Sequence, residues 1–281
     1  MLRLYINKMI TNIRLKKIKL ITLHFLILWF NRHFNPVVKE QIKKPKKIPI
    51  IIISFNQLFY LKQLVDFLLK RKYLNIIIID NNSTYPPLLD YFEIIKEEVT
   101  IHKLNDNVGH LSFWKQEQLF KKYSQGYYVV SDADIVPLDS CPEDFLKAFR
   151  QLLDKAYDRT KVGFSLKLED IPDTNPNKSN ILKWESQFWK IKINEQVYKA
   201  EIDTTFALYR PNYRYRLKHF TKAWRTNYPI QSRHGGWYMD INNLTEEQIY
   251  YMKTSNTSAS WQIDAQGKLI NKAHKPLYEV D

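Results

Sequence analysis

The chain predicts an α/β fold: a mostly parallel sheet flanked by helices, preceded by a basic helical arm. Three observations carry this. Short runs of β-branched and aromatic residues alternate with stretches whose apolar residues recur at helical spacing. Each of the first four runs ends in a cluster drawn from Ser, Asn, Asp and Gly. The charge sits at one end: residues 1–47 hold twelve Lys/Arg and one acid, Glu40, so +11 of the net +14 lies there. The remainder, near +3, is not the basic field of a nucleic-acid-binding domain.

With 281 residues the chain can bury a full core, and one domain of roughly 200–250 residues is expected. A hydrophobic content of 44% excludes disorder. The 18 Tyr and 7 Trp suit a surface that stacks on bases or sugars, and equally a large core. A single cysteine, Cys141, excludes an internal disulfide and a cysteine-based zinc site, and it fits a reducing compartment.

Residues 1–19 alternate Lys/Arg with Leu, Ile, Tyr and Met, and Leu20–Phe30 follows with Thr22 and His24 as its polar members. That apolar run is short of the about 20 residues a bilayer crossing needs. No small-residue cleavage site follows it. A basic segment lying on an anionic membrane surface is expected through residues 1–47, on the cytoplasmic side. The alternative is a basic helix packed on the domain. Residues 35–47, with two prolines and a lysine cluster, read as a linker. The domain is expected over 48–281, with a regular first half at 48–140 and a less regular second half at 141–270.

From Ile48 the pattern becomes regular. Ile48–Ser54 is a continuous apolar run, as in a strand buried on both faces. Leu61–Lys70 has helical spacing, and Ile76–Ile79 is a second buried strand. Pro87 starts a helix through Leu88, Leu89, Phe92 and Ile95. Val99–Leu104 is a third strand, Ser112–Tyr123 a helix, Tyr127–Ser131 a fourth strand, and Pro142 opens a helix to Lys155. The second half is less regular. Lys161–Leu168, Val197–Ile202 and Phe206–Tyr209 are strand-like, Ile171–Asn180 is a loop, and Glu246–Met252 is a helix. From Thr254 the tail is polar and weakly patterned.

In such a sheet ligands sit outside the carboxyl ends of the strands. Ser54-Phe55-Asn56, Asp80-Asn81-Asn82-Ser83, Asn105–Gly109 and Asp132-Ala133-Asp134 all fall there. One such cluster is a turn; four on one rim make a binding site. Two carboxylates one residue apart at a strand end are costly unless a cation meets them. Carboxylate oxygens suit Mg²⁺ or Mn²⁺. The alternative is an acidic surface turn. No GxGxxG or GxxxxGK[ST] motif is present, which disfavours dinucleotide and P-loop readings. An EF-hand fails because Val136 and Pro137 stand where an oxygen ligand and the glycine belong.

Taken together, IPIIIISFN, IIIIDNNST, LNDNVG and VVSDADIVP, in that order over residues 48–140, resemble the GT-A (Rossmann-like) glycosyltransferases, especially those similar to glycosyltransferase family 2. DADIVP looks like that family's DxD motif, and the resemblance implies a nucleotide-sugar half at 48–140 and an acceptor half at 141–270. The resemblance implies that Ser54, Asn56, Asp80 and Asn82 belong to the nucleotide site, with Asn107 and Gly109 close to it. It implies Asp132 near the ribose and metal, Asp134 on the metal, and a late histidine, His234, returning to it. Gly235 and Gly236 would permit that approach; a hydrogen-bonded loop histidine is the other reading. Arg233 either contacts diphosphate or is solvated.

The function expected is metal-dependent transfer from a nucleotide-diphosphate sugar, UDP-sugar favoured, to a glycan or glycolipid, with inversion. Inversion needs a base for the acceptor hydroxyl; Asp203 is favoured over Glu185. Trp114, Trp184, Trp189 and Trp237 are either sugar platforms or core. The competing functions are a nucleotidyltransferase that makes the nucleotide sugar, and a non-catalytic sugar- or membrane-binding protein.

Overall fold

The computed structural model describes residues 2–216 and 219–256, with side chains from Arg14 onward. Residues 257–281, which end the expected domain and hold most of the polar tail, lie outside the described residues.

The chain opens with α1 (Leu2–Phe34), α2 (Pro36–Lys43) and a 3₁₀ turn at Pro45–Lys47. The expected linker at 35–47 is therefore structured. Asn35 caps α2 by accepting the Val37 and Val38 N–H groups at 3.0 and 3.1 Å, and Pro36 stands at the first helical position. Val38 and Gln41 are buried. The Gln41 amide donates to the Tyr127 carbonyl at 2.8 Å and accepts its N–H at 2.7 Å. A side chain thus completes the backbone pairing of Tyr127.

The first half then alternates β1 (Ile50–Ser54), α3 (Phe59–Lys70), β2 (Ile76–Asp80), α4 (Pro86–Ile95), β3 (Thr100–Lys103), α5 (Ser112–Lys115), α6 (Glu117–Tyr123) and β4 (Tyr128–Asp132). The second half adds β5 (Ile135–Pro137), α7 (Phe145–Lys155), β6 (Lys161–Gly163), β7 (Ser165–Leu166) and α8 (Lys178–Ser186). It ends with β8 (Lys192–Asn194), β9 (Val197–Glu201), β10 (Ala207–Tyr209), β11 (Lys222–Thr226), β12 (Gln231–His234) and α9 (Glu246–Thr254). Helix α8 takes the end of the stretch expected to be loop.

Among the described residues nine strands form one sheet, in the order β3-β2-β1-β4-β10-β6-β11-β9-β8. Only β10 and β9 run against the rest, so the sheet is mostly parallel. Consecutive isoleucines in β1 and β2 follow from cover on both faces. Ile50, Ile52, Ile76 and Ile78 pack with α3, α4 and α7, while Ile51, Ile53, Ile77 and Ile79 pack with Phe113 and Phe120 of α5 and α6. A smaller sheet, β5-β12-β7, branches off after β4.

Helix α1 docks along one stripe. His24 and Leu28 are buried, and the His24 ring donates to the Asp154 carbonyl at 2.8 Å. The buried Asp154 carboxylate also takes Arg32 and Arg150 at 2.8 Å and the Tyr127 hydroxyl at 2.6 Å. Burial pulls the His24 imidazole below its ordinary value. The outward face keeps Leu23, Phe25, Leu26, Trp29, Phe30 and Phe34 exposed. Among the described residues no helix is long and apolar enough to cross a membrane.

Candidate active site

Parallel pairing aligns the strand ends. Ser54 lies opposite Asp80, Ile53 opposite Asp132, and Asp80 opposite Lys103. Outside these ends opens a cavity of ≈ 540 Å³, lined on the strand side by Ser54, Asn81, Asn107, Gly109, Asp132 and Asp134. Its size suits a small-molecule ligand. Gly109 has φ 77°, a left-handed conformation in which only glycine is unstrained. Its N–H is capped by Asn107 at 3.0 Å.

After Asp132 the chain turns through Ala133-Asp134 into β5, which pairs antiparallel with β12. That register sets His234 opposite Ile135, one residue past Asp134. The Gly235 N–H donates to the Asp134 carbonyl at 2.7 Å, and His234 Nδ1 lies 3.4 Å from the Asp134 carboxylate. His234 Nδ1 also accepts the Gly236 N–H at 3.2 Å, and Trp237 stacks behind the ring at 5.3 Å. Gly235 is required by space: an added Cβ would fall 2.4 Å from the Tyr60 ring.

Asp132 accepts the Thr204 hydroxyl at 2.5 Å. Desolvation, and then the Asp134 carboxylate, hold its carboxyl well above the usual range; the Thr204 bond opposes them. Below lies Lys161, fully buried, whose ammonium donates to the Asp203 carbonyl at 2.5 Å and the Tyr209 hydroxyl at 3.0 Å. Asp203 and Thr204 line the cavity beside Asp132.

The opposite wall is α9 and the segment before it. Glu247 accepts the Phe59 N–H at 3.1 Å, capping α3, whose own N-cap residue Leu58 provides no side-chain bond. Burial raises the Glu247 carboxyl above its usual value. Tyr251 packs on Phe55 with ring centres 6.4 Å apart, and Tyr250 donates to the Thr84 carbonyl at 3.1 Å. Tyr60 of α3, which also lines the cavity, is pushed up to about 12 by burial, with Asp134 and Glu247 adding to it. The described lining holds six carboxylates and no Lys or Arg.

The model of the family described as "Glycosyl transferase family 2" matches residues 50–233. The chain belongs to that family. Solved structures similar to this family 2 chain include the mannosyltransferase PcManGT from Pyrobaculum calidifontis in complex with GDP-Man and Mn²⁺, at 17% identity and TM-score 0.38. That match covers 69% of this chain and 55% of the mannosyltransferase, so the chain spans about half of it. S. aureus TarS 1-349 aligns at 13% identity and TM-score 0.42, over 73% of this chain and 68% of that one. An apo UDP-glucose pyrophosphorylase aligns at 12% identity and TM-score 0.38, over 74% and 100%. No curated protein gives a significant sequence match.

Within this family 2 chain the expected residues divide. Ser54, Asn107, Gly109, Asp132, Asp134, Asp203 and His234 share the cavity. The others are committed elsewhere. Asn56 is fully buried at φ 46°; its side chain accepts the Thr84 and Tyr85 N–H groups at 2.7 and 3.0 Å and donates to Thr254. Asp80 closes its own turn by accepting the Ser83 N–H and hydroxyl, and Asn82 stands outside the lining while Asn81 enters it. Arg233 is paired with Asp170 at 2.5 Å and is not part of the described cavity lining. Glu185 is buried against Arg225 at 2.6 Å, whose guanidinium stacks on the Phe188 ring, and Glu185 is not part of the described cavity lining. None of Trp114, Trp184, Trp189 and Trp237 lines it; the aromatic walls are Phe55, Phe59, Tyr60, Tyr85, Tyr238 and Tyr251.

Tyr60, Glu247 and Tyr251 had no local sequence signal, because the start of α3 and the whole of α9 meet at the cavity only through tertiary packing. Thr204 had one, as the hydroxyl neighbour of a favoured carboxylate.

Among the described residues no three His, Cys, Asp or Glu side chains stand preassembled for a metal ion. The donor chemistry nevertheless fits one. Asp132, Asp134 and His234 offer the oxygen and imidazole donors that Mn²⁺ accepts, and the desolvated Asp132 carboxyl lacks an adjacent cationic side chain in the lining.

Proposed function

We propose that the protein is a metal-dependent glycosyltransferase that transfers a sugar, with inversion, from a nucleotide-diphosphate sugar to a glycan or glycolipid. A UDP-sugar is the favoured donor. The observation that carries the reading is the cavity's charge: six carboxylates and no Lys or Arg in the described lining, in a family 2 fold. A diphosphate meets no fixed cation there, so a divalent ion has to accompany it. Asp132 and Asp134 would hold Mn²⁺ or Mg²⁺, with His234 beside them. When bound, the ion acts as a Lewis acid on the departing diphosphate.

The chain's own residues do the rest. Ser54, Asn81, Asn107 and Gly109 receive the nucleotide. Thr204 orients Asp132 through its hydroxyl bond. Asp203 is the general base for the acceptor hydroxyl, and Lys161 fixes it through the Asp203 backbone. Tyr238 and Tyr251 supply aromatic surface for sugar. Nucleotidyl transfer is the weaker reading, because a triphosphate calls for basic groups and the loop after β1, Phe55-Asn56-Gln57, has none. The arm through residues 1–47 addresses an anionic membrane surface from the cytoplasmic side, as a peripheral contact.

The test is donor hydrolysis and transfer over UDP- and GDP-sugars with Mn²⁺, Mg²⁺ or chelator. Turnover is expected with metal alone, and Asp134→Asn is expected to lower it on the order of 100-fold or more. Absence of turnover with every donor, together with absence of metal-dependent nucleotide binding, refutes the proposal.

A further inference from the structure

A second concavity, of ≈ 980 Å³, opens at the opposite end of the sheet. Its floor is the strand entries: Pro49 before β1, Asn75 before β2, and Gln125 and Gly126 before β4. Its rim comes from α2, the 3₁₀ turn and the start of α7. Six lysines line it, Lys44, Lys46, Lys47, Lys72, Lys122 and Lys147, against Glu40 and Asp144. Glu40 is taken by Lys47 at 2.5 Å, and Asp144 lies 3.8 Å from Lys147. Lys46 lies 3.7 Å from Glu143. Lys44, Lys72 and Lys122 are exposed and have no carboxylate in ion-pair range among the described residues.

Cations gathered this way repel one another, and none of these three gains a pair in return. An ammonium on a flexible stem is a point-charge binder of phosphate. The groove is also adjacent along the chain to the end of α1. That helix ends at Phe34, and Val37, three residues on, lines the groove. The outward face of α1 exposes Phe25 by 55%, Trp29 by 54% and Phe34 by 60%. Its sequence carries seven Lys/Arg and no acid.

We infer that the lysine groove is a phosphate-headgroup site through which the protein seats on an anionic bilayer, with the outward face of α1 lying in the interface beside it. The inference rests on the membrane-surface reading above and adds the site. A second copy of the chain would also cover an apolar helix. A two-fold contact, however, would bring two all-cationic helices together, and like charges oppose it. An anionic surface satisfies the apolar face and the lysines at once.

The test uses the full chain and the triple variant Lys44→Gln, Lys72→Asn, Lys122→Gln. Asn is chosen at 72 because Lys72 has φ 60°, a conformation Asn tolerates. Vesicles of phosphatidylcholine, with and without phosphatidylglycerol, are one probe. Short-chain phosphatidylglycerol below its micelle concentration is the second, and inorganic phosphate the third. Removing three charges near an anionic surface is expected to weaken vesicle binding on the order of 100-fold, and to abolish saturable binding of the short-chain lipid. Equal vesicle affinity for the two proteins, or no saturable short-chain binding by the wild type, overturns the groove while leaving the membrane reading intact. A wild type that ignores both vesicle types overturns the membrane reading, and the short-chain lipid still reports on the groove. Inorganic phosphate binding as tightly as the lipid overturns the lipid assignment. Dimers that form through α1 in the absence of lipid overturn its place in the bilayer interface.

Discussion

Replacing Lys161 by Met tests the electrostatic footing of the site. Lys161 has no exposed surface, and its ammonium lies 3.7 Å from the centre of the Phe220 ring. Burial pulls it from 10.5 down to about 7, against the opposing pull of Asp203 and Asp132. A cationic group whose folded-state value is lowered holds its proton longer in the unfolded chain. Between pH 7 and 10.5 the unfolded chain therefore binds more protons, and stability rises with pH across that window. Below pH 7 both states are protonated and the full desolvation cost remains. At about 1.4 kcal/mol per unit, Lys161 contributes a gain of about 2 kcal/mol between pH 7 and pH 9. Met keeps the volume and cannot titrate. Urea unfolding at the two pH values should show the wild-type gain exceeding that of Lys161→Met by about 2 kcal/mol. Taking the difference between proteins cancels the titrating groups that do not interact with Lys161. Identical pH slopes refute the argument. They would mean that Lys161 keeps its proton throughout, stabilised by the carboxylates beside it.

Glu185→Ala leaves the Arg225 guanidinium buried without its partner and should cost about 3–5 kcal/mol in chemical denaturation. Turnover per folded molecule should stay within a few-fold of wild type; a loss as large as that of Asp203→Asn would restore Glu185 as a catalytic candidate. Gly235→Ala drives a methyl into the Tyr60 ring and should lower stability by about 1–3 kcal/mol, with donor affinity falling alongside in a titration. Unchanged donor affinity would detach Tyr60 from the site. Gln41→Ala strands the buried N–H and carbonyl of Tyr127 and should cost about 2–4 kcal/mol, with faster amide exchange at Tyr127. Unchanged exchange there would mean that water replaces the amide.

The parallel half of the fold was legible because its strands are covered on both sides. Ile50–Ile53 and Ile76–Ile79 have no polar face to obscure them, and each strand stops at a polar cluster. The other half rests on strands of two to five residues without clear alternation, such as Lys222–Thr226 and Gln231–His234. Pairing partners define those strands, and a local pattern does not carry that information. Residues 35–47 are a different case. Asn35 followed by Pro36 is a helix-start signal, set in a stretch whose prolines and lysines read as a linker. Lys44, Lys46 and Lys47 line the groove, and Val38 and Gln41 are buried beside it.

The site divides along the same line. Asp132 and Asp134 were legible because two charges at the end of a buried strand are anomalous wherever the chain goes next. Asp203 was only slightly favoured over Glu185, since both are carboxylates near aromatic residues. What separates them is β11, which brings Arg225 under Glu185 and leaves Asp203 on the cavity with Lys161 at its backbone. His234 depended on β5 pairing with β12, two short strands with one register. The outcome is a molecule with its charges sorted: lysines around the strand entries, carboxylates around the strand exits. An anionic donor is repelled at the exits unless a cation screens it. An anionic surface is attracted at the entries and not at the exits. On the proposed reading one charge separation therefore performs two tasks, turning the chain on a membrane and admitting a nucleotide only together with its metal.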